Sequence, residues 1–281
     1  MKRSQIVFTN YPYHKLTLKY TLDSLKRLGA KNIEFVACEP HFYFDDVQSN
    51  EAAVVKGMLR ERGLNMVCLT APCNEYPINL ASRNPVTRKR SVDFIVKAIE
   101  YANYFEAPAV QFVAGEALLE EEKSDALQRA KDALFYLAGI AEGYGVKLLN
   151  PYHDSKLTNV LGSAAEVRAL HEELGKDAFL GMTDTVYMQR LGETVEDVTA
   201  AFGKDLCLVH FADCKDSTMH LAPGEGTLDL ESVLAALDAA GYAGWLSLNM
   251  RGSRDPYLYE EEPETCMGVG GRWLAERLEN A

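Results

Sequence analysis

The sequence lacks a long apolar run. None of its 281 residues belongs to a stretch of 18 consecutive apolar residues, which is about the length that a membrane-spanning helix needs. The N-terminal MKRSQIVFTN contains too short an apolar run for a secretory signal. No two of the six cysteines have CxxC spacing, so we expect reduced thiols. These absences predict a cytoplasmic protein without a membrane partner.

Positive charge is also scarce. The chain has 29 Lys and Arg against 41 Asp and Glu, which gives a net charge of −12. Because an acidic surface repels phosphate backbones and no local basic stripe offsets it, we do not expect a nucleic-acid partner. A Pro/Gly/Ser-rich linker is absent too. Residues 1–281 are therefore predicted to form one domain, of a length that suits a single α/β barrel.

Short apolar segments alternate with longer amphipathic ones. Eight segments are rich in β-branched and aromatic residues, as strands buried on both faces are, at residues 5–9, 33–37, 66–70, 109–113, 146–149, 178–182, 206–211 and 245–248. Helical spacing of apolar residues runs through 14–30, 88–105, 125–145, 163–175 and 230–241. Eight strand–helix units in a chain of this length predict an α/β fold, the (β/α)8 TIM barrel.

Polar side chains collect at the carboxyl ends of these strands, which in a barrel share one mouth where active sites lie. They are Glu34, His41, Glu116, Asn150, His153, Asp184, Tyr187, His210, His220, Asn249 and Arg251. Imidazole together with amide or carboxylate oxygens from several strands can bind one divalent ion such as Mn, Mg, Co or Zn. The mouth is therefore the predicted site.

Aromatic and loop residues extend the predicted site. Tyr76, Tyr152 and Tyr187 suit the wall of a sugar pocket. The PGEG turn at 223–226, which contains Glu225, has glycines that let backbone approach a ligand. Two other features are expected to lie outside the site: His171, in a helical pattern, as a solvated residue, and GVGG at 268–271 as a flexible segment before the last helix.

Several motifs carry a family resemblance. They are GAKNIEF (29–35), TAPCNEYPINL (70–80), TDTVYM (183–188), VHFADC (209–214) and HLAPGEGTLDL (220–230). On these motifs the chain resembles the xylose isomerase-like barrels, which include sugar isomerases, ketose 3-epimerases and hydroxypyruvate isomerases, and it resembles the fructoselysine 3-epimerase branch most. The resemblance implies a TIM barrel that acts on a small-molecule sugar or sugar derivative.

The resemblance also implies a metal site. In the family, Glu, Asp, His and Glu at the ends of strands 5 to 8 hold one metal. Asp184 and His210 match two of these ligands, whereas Asn150 and Asn249 stand at the positions of the two glutamates. An amide oxygen can bind a metal, but it is uncharged and cannot take up a proton. Metal affinity is therefore expected to be weakened.

The missing carboxylates leave the function open. The chain would still be an isomerase or epimerase if other residues supplied the bases for metal-assisted proton transfer next to a ketose carbonyl. The candidates are His153, Glu116, Glu34 and His220. Other residues are candidates to bind substrate. His41, His220 and the turn that contains Glu225 would contact sugar oxygens, and Arg251 would bind a carboxylate or phosphate group of the substrate.

Three functions fit this description. The first is a sugar isomerase or epimerase with altered or reduced activity. The second is a diverged lyase of related carbonyl chemistry. The third is a catalytically silent barrel that binds a sugar or partners an active paralogue. A homo-oligomer is expected from the resemblance alone. A metal on Asp184 and His210 would favour an enzyme, and a direct Asn–His hydrogen bond would favour the silent barrel.

Overall fold

The computed structural model describes residues 1–47, 50–73, 77–250, 259 and 261–279. Eight parallel strands close into a barrel in the order β1-β10-β7-β6-β5-β4-β3-β2. They are β1 (Ile6–Thr9), β2 (Asn32–Val36), β3 (Asn65–Thr70), β4 (Ala109–Gln111), β5 (Lys147–Leu149), β6 (Phe179–Asp184), β7 (Leu206–His210) and β10 (Trp245–Ser247). The predicted TIM barrel is thus confirmed, and each strand end lies within two residues of its predicted position.

Helices cover the outside of the barrel. They are α1 (Leu18–Arg27), α2 (Glu51–Arg62), α3 (Pro85–Phe105), α4 (Lys123–Tyr144), α5 (Ala164–Leu174), α6 (Thr185–Leu191), α7 (Val195–Phe202), α8 (Leu230–Ala239) and α9 (Pro263–Arg277). Side-chain caps fix several starts; the Ser163 hydroxyl, for example, accepts from the Glu166 backbone N–H at 3.1 Å and so satisfies an end group of α5. Within the described ranges, no helix is long and apolar enough to cross a membrane.

The interior of the barrel changes character along the strands. Its lower layer is apolar and consists of Cys68, Ala109, Leu149, Met182 and Leu208. Two residues further along β3 and β7 lie Thr70 and His210, which are polar. Because side chains alternate between the two faces of a strand, positions two apart share the interior face. The polar layer therefore faces the carboxyl-terminal mouth.

A short hairpin follows β7 and carries part of the mouth. It consists of β8 (Asp213–Lys215) and β9 (Thr218–Leu221), which pair antiparallel. The buried Asp213 carboxylate accepts four backbone N–H groups, from Cys214 (2.8 Å) and Leu228 (2.9 Å) on one oxygen and from Gly224 (3.1 Å) and Gly226 (3.0 Å) on the other. One side chain thereby fixes the predicted PGEG turn against the hairpin.

Two sequence interpretations outside the site are wrong. The GVGG segment lies within α9, because its glycines permit close packing: a Cβ on Gly271 would lie 2.8 Å from the Phe8 ring. His171 is buried rather than solvated. Its ring stacks on Phe179, with centroids 4.5 Å apart, on the face of α5 that packs against the barrel.

Candidate functional site

A cavity of about 650 Å³ opens at the predicted mouth. Its inner end is lined by Glu34, Thr70, His153, Asp184, His210 and Asn249, and Tyr187 and His220 also border it. This volume lies in the range of small-molecule sites. The inner end combines carboxylates with imidazoles, so its chemistry depends on how these groups pair.

Glu34 and His210 form one buried pair. Nε2 of His210 lies 3.1 Å from both carboxylate oxygens of Glu34. The remaining contacts of Glu34 come from the hydroxyls of Thr70 (2.5 Å) and Ser247 (2.6 Å), one on each oxygen. Residues of three other strands, β3, β7 and β10, therefore hold Glu34, and Glu34 in turn fixes the orientation of the His210 ring.

Asp184 and His220 form the second buried pair. Oδ2 of Asp184 lies 3.0 Å from Nε2 of His220 and 3.5 Å from Nδ1 of His210. Oδ1 accepts the backbone N–H groups of Val186 (2.8 Å) and Tyr187 (3.3 Å) at the start of α6. The helix N-terminus thus helps to keep this carboxylate charged, and Asp184 joins His220 to His210.

These pairings determine the charges. Burial alone would lower the pKa of His210, but the Glu34 and Asp184 carboxylates outweigh it and raise the pKa to about 10. Burial opposes ionisation of Glu34, yet His210 lowers the pKa of this carboxyl below its ordinary value. In Asp184, His220 and His210 likewise overcome burial and lower the pKa far below its ordinary value. At neutral pH His210 is therefore a cation between two carboxylates.

His153 differs from the other histidines. It is only 8% exposed, and its Nδ1 has no hydrogen-bond partner among the residues that the structure describes. Its ring meets Tyr187 edge to face with centroids 4.5 Å apart. Burial is the main reason that its pKa falls to about 4, so the ring is neutral at neutral pH. A buried polar atom without a partner is costly, and a ligand in the cavity would satisfy it.

The two asparagines have different environments. Asn249 borders the cavity, and its Nδ2 lies 2.9 Å from Nδ1 of His210. A cationic His210 donates from Nδ1, so in that state the amide group of Asn249 is flipped and its Oδ1 accepts the hydrogen bond. Asn150 lies on the outer face of the barrel. It donates to the Phe112 carbonyl at 3.1 Å, and its Oδ1 lies 3.3 Å from Nε2 of His171. The expected ligand role of Asn150 has no support in this geometry.

Other predicted residues also lie away from the cavity. His41 is an internal anchor whose Nδ1 contacts Asn10 (2.9 Å) and whose Nε2 contacts the Leu16 carbonyl (2.9 Å). Glu116 is exposed and outside the cavity lining. The buried Tyr152 pairs its hydroxyl with Thr183 (2.7 Å), and the exposed Glu225 accepts from the Tyr259 hydroxyl. Tyr76 and Arg251 lie outside the described residues.

Three polar residues of the site were missed in the sequence. They are Thr70, Gln111 and Ser247. Each lies at the last position of its strand, and each is the kind of small or amide side chain that strand ends often carry. Their positions along the strands could have identified them. Thr70, for example, lies two residues beyond Cys68 and therefore on the interior face of β3.

The described residues do not fit the four-ligand metal site that the resemblance implies. Asn150 points away, and in the described part of the chain no three His, Cys, Asp or Glu side chains form a metal-binding group. Direct hydrogen bonds occupy both oxygens of Glu34 and of Asp184 and both ring nitrogens of His210. These atoms face one another rather than a common centre, so we derive no step through a metal.

Comparisons with known proteins identify the family of this chain. The sequence profile described as xylose isomerase-like TIM barrel matches residues 22–276. The chain belongs to this family. Fructoselysine 3-epimerase of Shigella flexneri is 23% identical over 257 residues, which cover 89% of this chain and 92% of that protein. Inosose isomerase of Bacillus subtilis (strain 168) is 26% identical over 153 residues, or 50% of this chain and 54% of that protein.

Solved structures agree on the fold of this family member. D-Psicose 3-epimerase from Clostridium cellulolyticum H10, solved with D-tagatose, superposes with a TM-score of 0.82 at 16% identity, covering 99% of this chain and 100% of that chain. An L-ribulose 3-epimerase superposes with a TM-score of 0.79 at 20% identity, covering 99% and 96%. At such identities the likeness concerns the fold.

Proposed function

We propose that this protein is a sugar isomerase or epimerase that moves a proton at the carbon next to a ketose carbonyl. The observation that carries the proposal is the unpartnered Nδ1 of His153 at the inner end of the cavity. The names of the relatives support the same class, since they are epimerases and an isomerase of sugars or of inosose.

His153 is the proposed proton-transfer group. Its pKa of about 4 keeps it neutral, which is the state that a base requires. Such a ring is a weak base, but the nearby Asp184 charge favours its protonated form. Removal of a proton beside a carbonyl leaves an enediolate, whose negative charge needs stabilisation. The cationic His210, held by Glu34, supplies positive charge at the same end of the cavity, as preorganised catalytic groups do.

His220 is the proposed second acid–base group. An epimerisation returns the proton on the opposite face of the sugar, so two groups from different parts of the mouth are required. His153 follows β5, and His220 lies in β9 after β7. Tyr187 lies between them, with ring centroids 4.5 Å from His153 and 5.6 Å from His220. Asp184 orients His220 through its 3.0 Å hydrogen bond.

Proton exchange tests this proposal directly. The purified protein would be incubated with D-fructose or D-psicose in D2O, and NMR would follow loss of the C3 proton and formation of the epimer. We expect exchange in the wild type and a loss of at least about 100-fold in His153→Gln, the usual range for a general base. Glu120→Gln, on an exposed residue outside the cavity lining, serves as control and should retain full exchange.

A second function, a catalytically silent sugar-binding barrel, is favoured by the Asn249–His210 hydrogen bond of 2.9 Å. The uncharged amide of Asn249 occupies the position next to His210 where a catalytic base would otherwise lie. The same experiment separates the two functions. Sugar binding without any C3 exchange in the wild type would refute the epimerase and support the silent barrel, and exchange that survives in His153→Gln would refute the assigned base.

A further inference from the structure

The two proposed acid–base groups are held in place by different means. Asp184 orients His220 through a hydrogen bond of 3.0 Å, whereas Nδ1 of His153 has no partner among the described residues. A catalytic base is usually oriented by a third group. The backbone of His153 contributes little, because its N–H reaches the Leu161 carbonyl only at 3.5 Å. The position of the His153 ring therefore depends on the contacts of its neighbours.

Helix α6 contacts two consecutive residues of the segment after β5. The ring of Tyr187 meets the ring of His153 edge to face, with centroids 4.5 Å apart. Three residues further along α6, Nε of Arg190 donates to Oδ2 of Asp154, and its Nη2 lies against the same oxygen. Residues three apart on a helix lie on one face. One face of α6 therefore holds both His153 and Asp154.

Asp154 connects α6 to the turn that follows His153. Its Oδ1 accepts the backbone N–H two residues further on at 3.0 Å. Its carbonyl oxygen accepts the N–H groups of Leu157 and Thr158 at 3.0 and 3.2 Å. The Thr158 hydroxyl then donates to the Gly115 carbonyl at 2.6 Å. The ion pair with α6 thus anchors one end of the turn, and the loop after β4 anchors the other.

The helix itself is fixed to the barrel. The hydroxyl of Thr185, its first residue, donates to the Ala212 carbonyl at 2.6 Å and accepts the Ala212 N–H at 3.1 Å. The side chains of Val186 and Met188 are buried. Groups supported by such a rigid element keep their geometry better than groups on a loop alone. Arg190 does not line the cavity, so it has no direct contact with a substrate there.

We propose that Arg190 is a positioning residue for proton transfer by His153. Its ion pair with Asp154 holds the segment after β5 against α6 and thereby keeps the His153 ring on Tyr187 at the edge of the cavity. The proposal rests on the proposed function for the reaction itself. The position of the ring, in contrast, is a property of the protein without substrate.

NMR tests the position of the ring without any turnover. In the wild type we expect nuclear Overhauser contacts between the rings of His153 and Tyr187, together with a ring-current shift of the His153 ring protons, because the centroids are 4.5 Å apart. His153→Gln assigns these signals. In Arg190→Gln the contacts should weaken, and the shifts should move toward those of a histidine that packs on no aromatic ring.

The same variant should remain folded. The side chains of Arg190 and Asp154 are 29% and 16% exposed, and an ion pair that water reaches contributes little to stability. Circular dichroism and the midpoint of urea denaturation should therefore stay close to those of the wild type. If Arg190→Gln does not fold, Asp154→Asn breaks the same pair from its other side and has the same expected results.

Exchange kinetics test the consequence for proton transfer. With D-fructose in D2O, Arg190→Gln should lower kcat for C3 exchange about 10- to 100-fold and leave KM within about twofold, because a base misplaced by about 1 Å loses turnover rather than binding. Added to His153→Gln, it should cause no further loss of the residual exchange, since groups that act as a unit are not additive. Arg27→Gln removes the same charge from a different ion pair, with Glu264 at 2.6 Å, and should retain full exchange.

Three results would overturn the proposal. They are an unchanged ring contact in Arg190→Gln, a loss that appears in KM rather than in kcat, and a further loss of exchange when Arg190→Gln is added to His153→Gln. The proposed function fails differently, through a wild type without C3 exchange. In that case the NMR comparison alone decides whether Arg190 positions the His153 ring.

Discussion

Replacing Glu34 by glutamine perturbs the pair on which the site depends. Glu34 is almost fully buried, and both of its oxygens lie 3.1 Å from Nε2 of His210. Glutamine preserves the volume and can still accept from Thr70 or Ser247 through its single oxygen. It removes the negative charge, however, so among the described residues Asp184, at 3.5 Å, is the ionic partner that His210 retains.

The expected loss of stability is large. The rise in the His210 pKa from its ordinary 6.5 to about 10 corresponds to about 5 kcal/mol in favour of the imidazolium, at roughly 1.4 kcal/mol for each pKa unit. Glu34 is the stronger of the two carboxylates that raise it. Because Asp184 remains, we expect Glu34→Gln to lower the free energy of unfolding by about 3 kcal/mol, at the lower end for a broken buried ion pair.

The loss should depend on pH in a defined direction. The folded-state pKa of His210 is raised, so its stabilising contribution is complete below about 6.5 and disappears as the pH rises through about 10. The pKa values of Glu34 and Asp184 are lowered, so their contributions exist above their ordinary values of 4.5 and 3.8 and disappear as the pH falls. The difference between wild type and variant should therefore be greatest near pH 5–6.5.

Urea denaturation at pH 6 and at pH 10 measures this difference, and NMR titration of the imidazole gives the pKa of His210 in each protein. We expect the variant to have a clearly lower His210 pKa and a stability deficit that shrinks at pH 10. A deficit below about 1 kcal/mol at pH 6, or an equal deficit at both pH values, would refute the assigned ion pair.

Three further substitutions test other parts of the structure. Asp213→Ala leaves four backbone N–H groups without their acceptor, so denaturation should show a loss of at least about 3 kcal/mol; a loss below 1 kcal/mol would contradict its role in fixing the turn. Asn150→Ala should cost about 1–3 kcal/mol yet leave sugar affinity in calorimetry unchanged, because Asn150 lies outside the cavity; weakened sugar binding would contradict that placement. Gly271→Ala should cost about 1–3 kcal/mol by overpacking against Phe8, and an unchanged denaturation midpoint would contradict the close contact.

Much of the architecture follows from the sequence. The strands are predictable because both faces of a barrel strand are buried, and this makes segments such as LCLV (206–209) continuously apolar. The mouth is predictable because parallel strands bring their carboxyl ends together, and Glu34, His153, Asp184, His210 and His220 all border the cavity.

The direction of individual side chains was not readable. In VKLLN both Leu148 and Leu149 are apolar, so the pattern does not reveal which of them faces the interior. Leu149 does, and the alternation of β5 consequently directs Asn150 outward. His41 is a similar case, because only tertiary contacts show that it binds Asn10 and Leu16 rather than a ligand. In GVGG, packing against Phe8 overrides the low helix propensity of glycine.

The different positions of the two asparagines change what the β5 end can contribute to chemistry. If Asn150 and Asn249 both bordered the cavity, the mouth would have two amides where proton transfer needs bases. Since Asn150 instead pairs with His171 on the outer face, the group that follows β5 at the cavity is His153, whose Nδ1 has no partner in the described part of the chain. Asn249 alone remains beside His210, where it adds no charge to the Glu34–His210–Asp184–His220 network. A histidine-based proton transfer at this mouth is therefore compatible with both asparagines.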